Sequence, residues 1–175
     1  MASSDPDSRL LLLMRHGKAD AAADSDHDRP LHDKGRVQAR MIGEYLESQG
    51  VRPTRVLVSD ALRTRETWQS VLETMPGFDG RVTFHEDIYH GGPAEVLALI
   101  GGRKPKHHVV MVIGHEPTMS TLSSYLADDD SSDPSSVAQA RIGLPTGAMS
   151  VLTGRQDDWS EVREDSMTLH TIVRS

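Results

Sequence analysis

The chain contains no cysteine, which removes disulfides, thiol nucleophiles and zinc–thiolate centres at once. No apolar stretch approaches the roughly 20 residues of a membrane span, and the polar, acidic start Met1-Ala2-Ser3-Ser4-Asp5-Pro6-Asp7 is unlike the positive beginning of a secretory signal. A soluble, cytoplasmic protein with no membrane partner is the expectation. Nucleotide-binding glycine loops of the Gly-x-x-x-x-Gly-Lys-Ser/Thr or Gly-x-Gly-x-x-Gly type are missing, as is the Gly-x-Ser-x-Gly elbow of serine hydrolases. His85, His90, His107, His108 and His115 do not fall into zinc-ligand spacing: His85-Glu86 is followed by Asp87-Ile88-Tyr89-His90, one residue too long for the zinc-protease helix motif. No metal is expected. Basic residues are outnumbered, 19 against 26, for a formal charge of −7, which argues against a nucleic-acid partner. Local cation clusters do occur, at Arg63–Arg65 and Arg103–Lys106.

What is present is alternation. A length of 175 residues suits one domain with a sizeable core, expected over residues 9–175 behind a disordered tail at 1–8. Leu10–Met14, Val56–Val58, Val109–Ile113 and Ala148–Leu152 read as strands, the middle two buried on both faces. Helical spacing connects them. Val37, Met41, Tyr45 and Leu46 form one apolar stripe before Gly50, and Leu62, Val71, Leu72 and Met75 form another before Pro76-Gly77. Val96, Leu97 and Ile100 mark a third helix ending at Gly101-Gly102, and Met119, Leu122 and Leu126 a fourth, opening just after Pro117. Trp68 and Trp159 are expected in the core or at an interface. The expectation is an α/β fold, a three-layer α/β/α sandwich whose central sheet is mostly parallel with helices on both faces. Segments 19–32 and 127–136, rich in aspartate, read as loops, either solvated surface or a border that screens anionic partners.

Three of the strands end in reactive residues. The first delivers Arg15-His16-Gly17, the second Ser59-Asp60-Ala61-Leu62-Arg63, and the third Gly114-His115-Glu116-Pro117. In a parallel sheet such ends share one edge, where ligands of open α/β sheets bind. Two imidazoles and two guanidiniums gathered there match a tetrahedral dianion, because arginine forks take two oxygens each and a helix amino terminus adds partial positive charge. Ser59 is expected to cap the helix that follows it.

The order Arg15-His16-Gly17, Ser59-x-Ala61-x-Arg63-x-x-x-Thr67 and Gly114-His115-x-Pro117 resembles the histidine phosphatase superfamily, phosphoglycerate-mutase-like branch. Arg29-Pro30-Leu31 with Gly35-Arg36, Tyr89-His90-Gly91-Gly92 and Leu144-Pro145-Thr146-Gly147 are similar to the small SixA-like phosphohistidine phosphatases. The likeness spans about residues 10–165. It implies a phosphoglycerate-mutase-like fold and a phosphatase in which His16 takes up the phosphoryl group. Arg15, Gly17, Arg63 and His115 would hold its oxygens, and no cofactor would be required. Glu86 stands in a place comparable to the family's proton donor, with neighbouring Asp87 as the alternative. Departures from the pattern are Asp60 where relatives often have proline, Lys18 where many have glutamate, and Glu116 where an uncharged residue is common. Asp60 is expected either to weaken anion binding or to hold Arg63 by an ion pair. The short chain implies an accessible crevice and a phosphohistidine-bearing protein as substrate. A phosphosugar or nucleotide phosphatase and a weakly catalytic phosphohistidine-binding module are the alternatives. Oligomeric state is not legible.

Overall fold

A computed structural model of the chain describes residues 7–175; most of the tail expected at 1–8 thus lies outside the described residues. The runs that read as strands become β1 (Arg9–Arg15), β2 (Arg55–Ser59), β4 (Val109–Gly114) and β5 (Met149–Gly154). β3 (Arg81–His85) and β6 (Thr168–Val173) add the two edges of a six-stranded sheet ordered β3-β2-β4-β1-β5-β6. The pairs β2–β3, β2–β4 and β1–β4 are parallel, whereas β5 runs antiparallel to both β1 and β6. The sheet is therefore mixed, with a parallel heart.

Alternation along the central strands feeds two cores. Leu11, Leu13, Leu57, Val110 and Val112 point to one face, and Leu10, Leu12, Met14, Val56, Val58, Met111 and Ile113 to the other, the pattern of strands buried on both sides. Helices α1 (Asp33–Ser48) and α2 (Leu62–Glu73) cover the second face. Helices α3 (Glu86–His90), α4 (Pro93–Gly101), α5 (Thr118–Leu126) and α6 (Pro134–Ile142) cover the first, together with a 3₁₀ turn at Trp159–Glu161. Both tryptophans are core residues.

Three expectations need correction. Val37 and Met41 do not line the core: they are 57% and 38% exposed, and α1 instead buries Gly35, Gln38, Ala39, Ile42, Gly43 and Leu46. On α2, Leu72 likewise faces outward while Thr64, Trp68 and Val71 are buried. Segment 127–136 is a loop only over residues 127–133, because Asp133 accepts from the Ser136 amide and starts α6 at Pro134, as N-cap aspartates do.

Candidate functional site

The register of the sheet assembles the site. Arg15 pairs with Gly114 across β1 and β4. One residue on, the His16 amide donates to the Gly114 carbonyl (3.1 Å) while the His16 carbonyl accepts from the Gly147 amide (2.8 Å). Gly147 holds φ +74°, a left-handed conformation open to glycine without strain. His16 and His115 thus leave neighbouring parallel strands at the same edge, with ring centroids 5.4 Å apart. Gly17 is needed for packing: a Cβ there would lie 2.6 Å from the Gly35 carbonyl oxygen at the start of α1. The Gly17 amide donates to Thr67 Oγ1 (3.0 Å), whose hydroxyl donates to the Arg63 carbonyl (2.7 Å). The turn after β1 is so tied to the first turns of α2.

Hydrogen bonds fix both tautomers. His16 Nδ1 lies 2.7 Å from the Gly17 carbonyl oxygen, an acceptor only, so Nδ1 carries the proton and Nε2 keeps its lone pair. Arg63 Nη2 lies 3.3 Å from His115 Nδ1. A guanidinium can only donate, so His115 Nδ1 accepts and its Nε2–H donates to Ser59 Oγ at 2.7 Å. Ser59 therefore orients His115, and its expected capping role reduces to a long 3.4 Å contact from the Ala61 amide. Burial, the stronger cause, and the nearby arginines push the His16 pKa down to about 4. Burial, His16 and Arg63 take His115 down to about 3. Both rings are neutral at pH 7.

The two arginines are held from the side. Arg15 Nη1 donates to the Leu144 carbonyl (2.9 Å), and burial lowers its pKa while Glu116 raises it. Glu116 accepts from Ser120 and from the Leu144 amide, so this departure from the family pattern braces the segment on which Arg15 leans. Arg63, 7% exposed, sends Nη1 to the Asp26 carbonyl oxygen (2.8 Å) and Nη2 to Asp26 Oδ2 (3.2 Å). The Nε atoms of Arg15 and Arg63 are both buried without an acceptor, so each guanidinium retains donor capacity that the protein does not use.

Asp26 is the residue that sequence reasoning missed. Its carboxylate receives Tyr89 Oη (2.7 Å), Arg29 Nη1 (3.0 Å) and Arg63 Nη2, and these partners hold it far below the ordinary carboxylate range. The acidic segment 19–32 accordingly borders the crevice. His27, next to Asp26, contacts Asp60 Oδ1 at 3.1 Å. The expected Asp60–Arg63 ion pair is thereby corrected: Asp60 serves His27, and Asp26 takes Arg63. Tyr89 also meets the His115 ring edge-on at 5.6 Å. Glu86 and Asp87, the expected proton donors, start the short α3 as exposed residues whose side chains form no hydrogen bond or ion pair among the described residues. It is Tyr89, one turn later, that α3 presents to the cluster. Lys18 projects into solvent. Among the described residues no group of three or more His, Asp or Glu side chains is placed to hold a metal ion, and no helix is long and apolar enough to cross a membrane.

Comparison with known proteins bears on the family and the fold. The family model of the histidine phosphatase superfamily (branch 1) matches residues 11–88. An uncharacterized protein of Mycobacterium tuberculosis is 32% identical over 141 residues, 79% of this chain and 85% of its own. A structure from Nakamurella multipartitia, named for the phosphohistidine phosphatase SixA, superposes with a TM-score of 0.82 at 28% identity, covering 95% of each chain. The protein histidine phosphatase SixA complexed with tungstate gives a TM-score of 0.71 at 25% identity, over 94% of this chain and 96% of that one.

Proposed function

This chain belongs to the histidine phosphatase superfamily (branch 1), and from that premise we propose that it removes phosphoryl groups through a phosphohistidine formed on His16, with protein phosphohistidine as substrate. The observation that carries the reading is the pairing of a buried imidazole whose Nε2 is free of protons with Arg15, Arg63 and His115 at one sheet edge. In the first step the His16 Nε2 lone pair forms the N–P bond while the bond from phosphorus to the leaving atom breaks. Arg15, Arg63 and His115 stabilise the charge spreading over the equatorial oxygens. In the second step a water oxygen attacks phosphorus, the N–P electron pair returns to His16, and phosphate leaves with the proton balance made up by solvent. Guanidiniums supply the positive charge this scheme calls for, so no metal enters it.

The surroundings of Asp26 favour a leaving imidazole. Held as a carboxylate, Asp26 has no proton to give an alkoxide, the leaving group that most needs one. It does offer an acceptor to the N–H of a protonated imidazole, whose positive charge a neighbouring carboxylate stabilises. SixA, which shares this chain's fold, is named for protein histidine phosphatase activity, in keeping with that preference.

His16→Ala is expected to abolish hydrolysis of an aryl phosphate and of a phosphorylated histidine carrier protein; normal turnover by that variant rejects the mechanism. Asp26→Asn should slow hydrolysis of the N-phosphoryl substrate at least tenfold, about 1.4 kcal/mol, with a smaller effect on the aryl ester. Equal losses on both would remove the argument for a leaving imidazole. Faster turnover of phosphosugars or nucleotides than of the carrier would assign a small-molecule substrate.

A further inference from the structure

The basic cluster at Arg103–Lys106 plays no part in the chemistry above, and the fold gives it company. β2 and β3 pair in parallel with Arg55 opposite Arg81, Leu57 opposite Thr83 and Ser59 opposite His85. These six side chains share one face, the face Leu57 buries with Val96 and Ile100 of α4. β3 is an edge strand, and Arg103, two residues beyond α4, lies near enough for its charge to act on both Arg55 and His85. Arg55, Thr83, His85 and Arg103 are each half-buried, and Arg81 is exposed.

The patch contains donors with no balancing charge. Arg55 Nη2 donates to Thr83 Oγ1 (3.2 Å), which also lies 2.7 Å from His85 Nε2. Arg55 Nε is buried without an acceptor. Burial and the charges of Arg103 and Arg81 lower the Arg55 pKa, and burial with Arg103 and Arg55 lowers His85. None of Arg55, Arg81, Arg103, Lys104 and Lys106 forms an ion pair among the described residues. Asp87 is the carboxylate whose charge reaches His85. Partly desolvated like charges held together without a counter-ion are unfavourable, and in a chain of net charge −7 the concentration is local.

We propose that this basic patch is a second anion site, apart from the catalytic edge, that takes a small ligand carrying a diphosphate. Guanidiniums are suited to phosphate because their planar forks match its oxygens. Arg55 and Arg81 stand on adjacent strands, about 4.8 Å apart at the backbone, and Arg103 approaches from a third element. A diphosphate neutralises these three groups more fully than one phosphate does, and it spans both strands. A nucleic-acid strand fits less well, since the remaining surface is acidic and would repel its backbone.

Titration with pyrophosphate, followed by amide chemical shifts, tests the assignment. Saturable shifts at residues 81–85 and 103–108 are expected, with weaker binding of orthophosphate and of citrate. Arg81→Glu and Arg103→Gln should each weaken pyrophosphate binding about tenfold or more, the loss of one charged contact. Aryl phosphate turnover should stay within about twofold in both variants, since neither residue touches the catalytic cluster. Arg81 is exposed, so its replacement leaves the fold intact even if Arg103→Gln disturbs the end of α4. Shifts confined to the surroundings of His16 and His115 would overturn the proposal. So would equal binding of citrate, or unchanged affinity in Arg81→Glu.

Discussion

A histidine that must attack phosphorus has to be uncharged, and His16 reaches that state by burial before any neighbour contributes. The consequence for pH is specific. A free imidazole titrates near 6.5, and the folded value is about 4, so between these the unfolded chain binds a proton that the native state refuses. Stability is therefore full above pH 6.5 and lost as pH falls toward 4. At about 1.4 kcal/mol per unit, His16 alone accounts for some ~3 kcal/mol of that loss, and His115 adds to it. For activity, kcat/KM should show no acid limb at 6.5 from His16, but one near pH 4; a full limb at 6.5 in the pH profile would mean that His16 is solvated. Legibility at this scale divides sharply. His16, Arg15, Arg63 and His115 could be read because each closes or follows a strand, whereas Asp26 lies in a loop whose composition suggests only solvent. Its partners, Arg63 and Tyr89, are 37 and 63 residues away, and no local pattern encodes such a contact. The Tyr89-His90-Gly91-Gly92 motif is the available signal, and it lies three residues beyond Glu86.

Helix α1 shows how an element can be placed correctly and rotated wrongly. Its length and stop follow from periodicity, yet the large apolar residues Val37 and Met41 face outward. The buried face is marked by small residues, Gly35, Ala39 and Gly43, four apart and hence on one side of the helix. Close approach requires the two glycines: a Cβ on Gly35 would meet the Lys18 carbonyl oxygen after β1, and one on Gly43 would land on Thr74 Oγ1 and on the Val71 carbonyl oxygen at the end of α2. Gly43→Ala sets two effects against each other. Helix propensity favours alanine by roughly 1 kcal/mol; the Thr74 hydroxyl can rotate away, but the Val71 carbonyl is backbone and cannot, so overpacking of about 1–3 kcal/mol or more prevails. Urea denaturation should show the variant destabilised; an unchanged or raised midpoint would mean that α1 and α2 are less closely packed. The same pair carries Arg63 and abuts Gly17, so the spacing of two helices sets where one guanidinium sits. The edge strands β3 and β6 escaped prediction for a related reason. Each has few fully buried residues, only Leu169 on β6 and none on β3, so neither shows the apolar run that betrays a central strand.

On the scale of the whole molecule, the site and the core are one structure. His16, Ser59 and His115 stand at the ends of β1, β2 and β4, the parallel strands at the heart of the sheet, which is why a fold class read from alternation also predicted where the reactive groups meet. Their convergence was legible because parallel strands end on a common edge; the loop 19–32 that completes the site was not, since its path over that edge is set by Arg29, Arg36 and Glu66 contacts that exist only in the folded state. This arrangement links ligand binding to global stability. An oxyanion that engages Arg15, Arg63 and the two imidazoles binds only the folded chain, because the unfolded chain never assembles them. At a concentration of 100 times its Kd, such a ligand stabilises the fold by about 2.7 kcal/mol. For a domain of this size each kcal/mol raises Tm by roughly 2–4 °C, so tungstate should lift the transition by about 5–11 °C. In Arg63→Gln the guanidinium is gone while the core strands are untouched, and the shift should largely vanish. A Tm that tungstate leaves unmoved in the wild type, or moves equally in both proteins, would mean that the four groups do not act together on one anion.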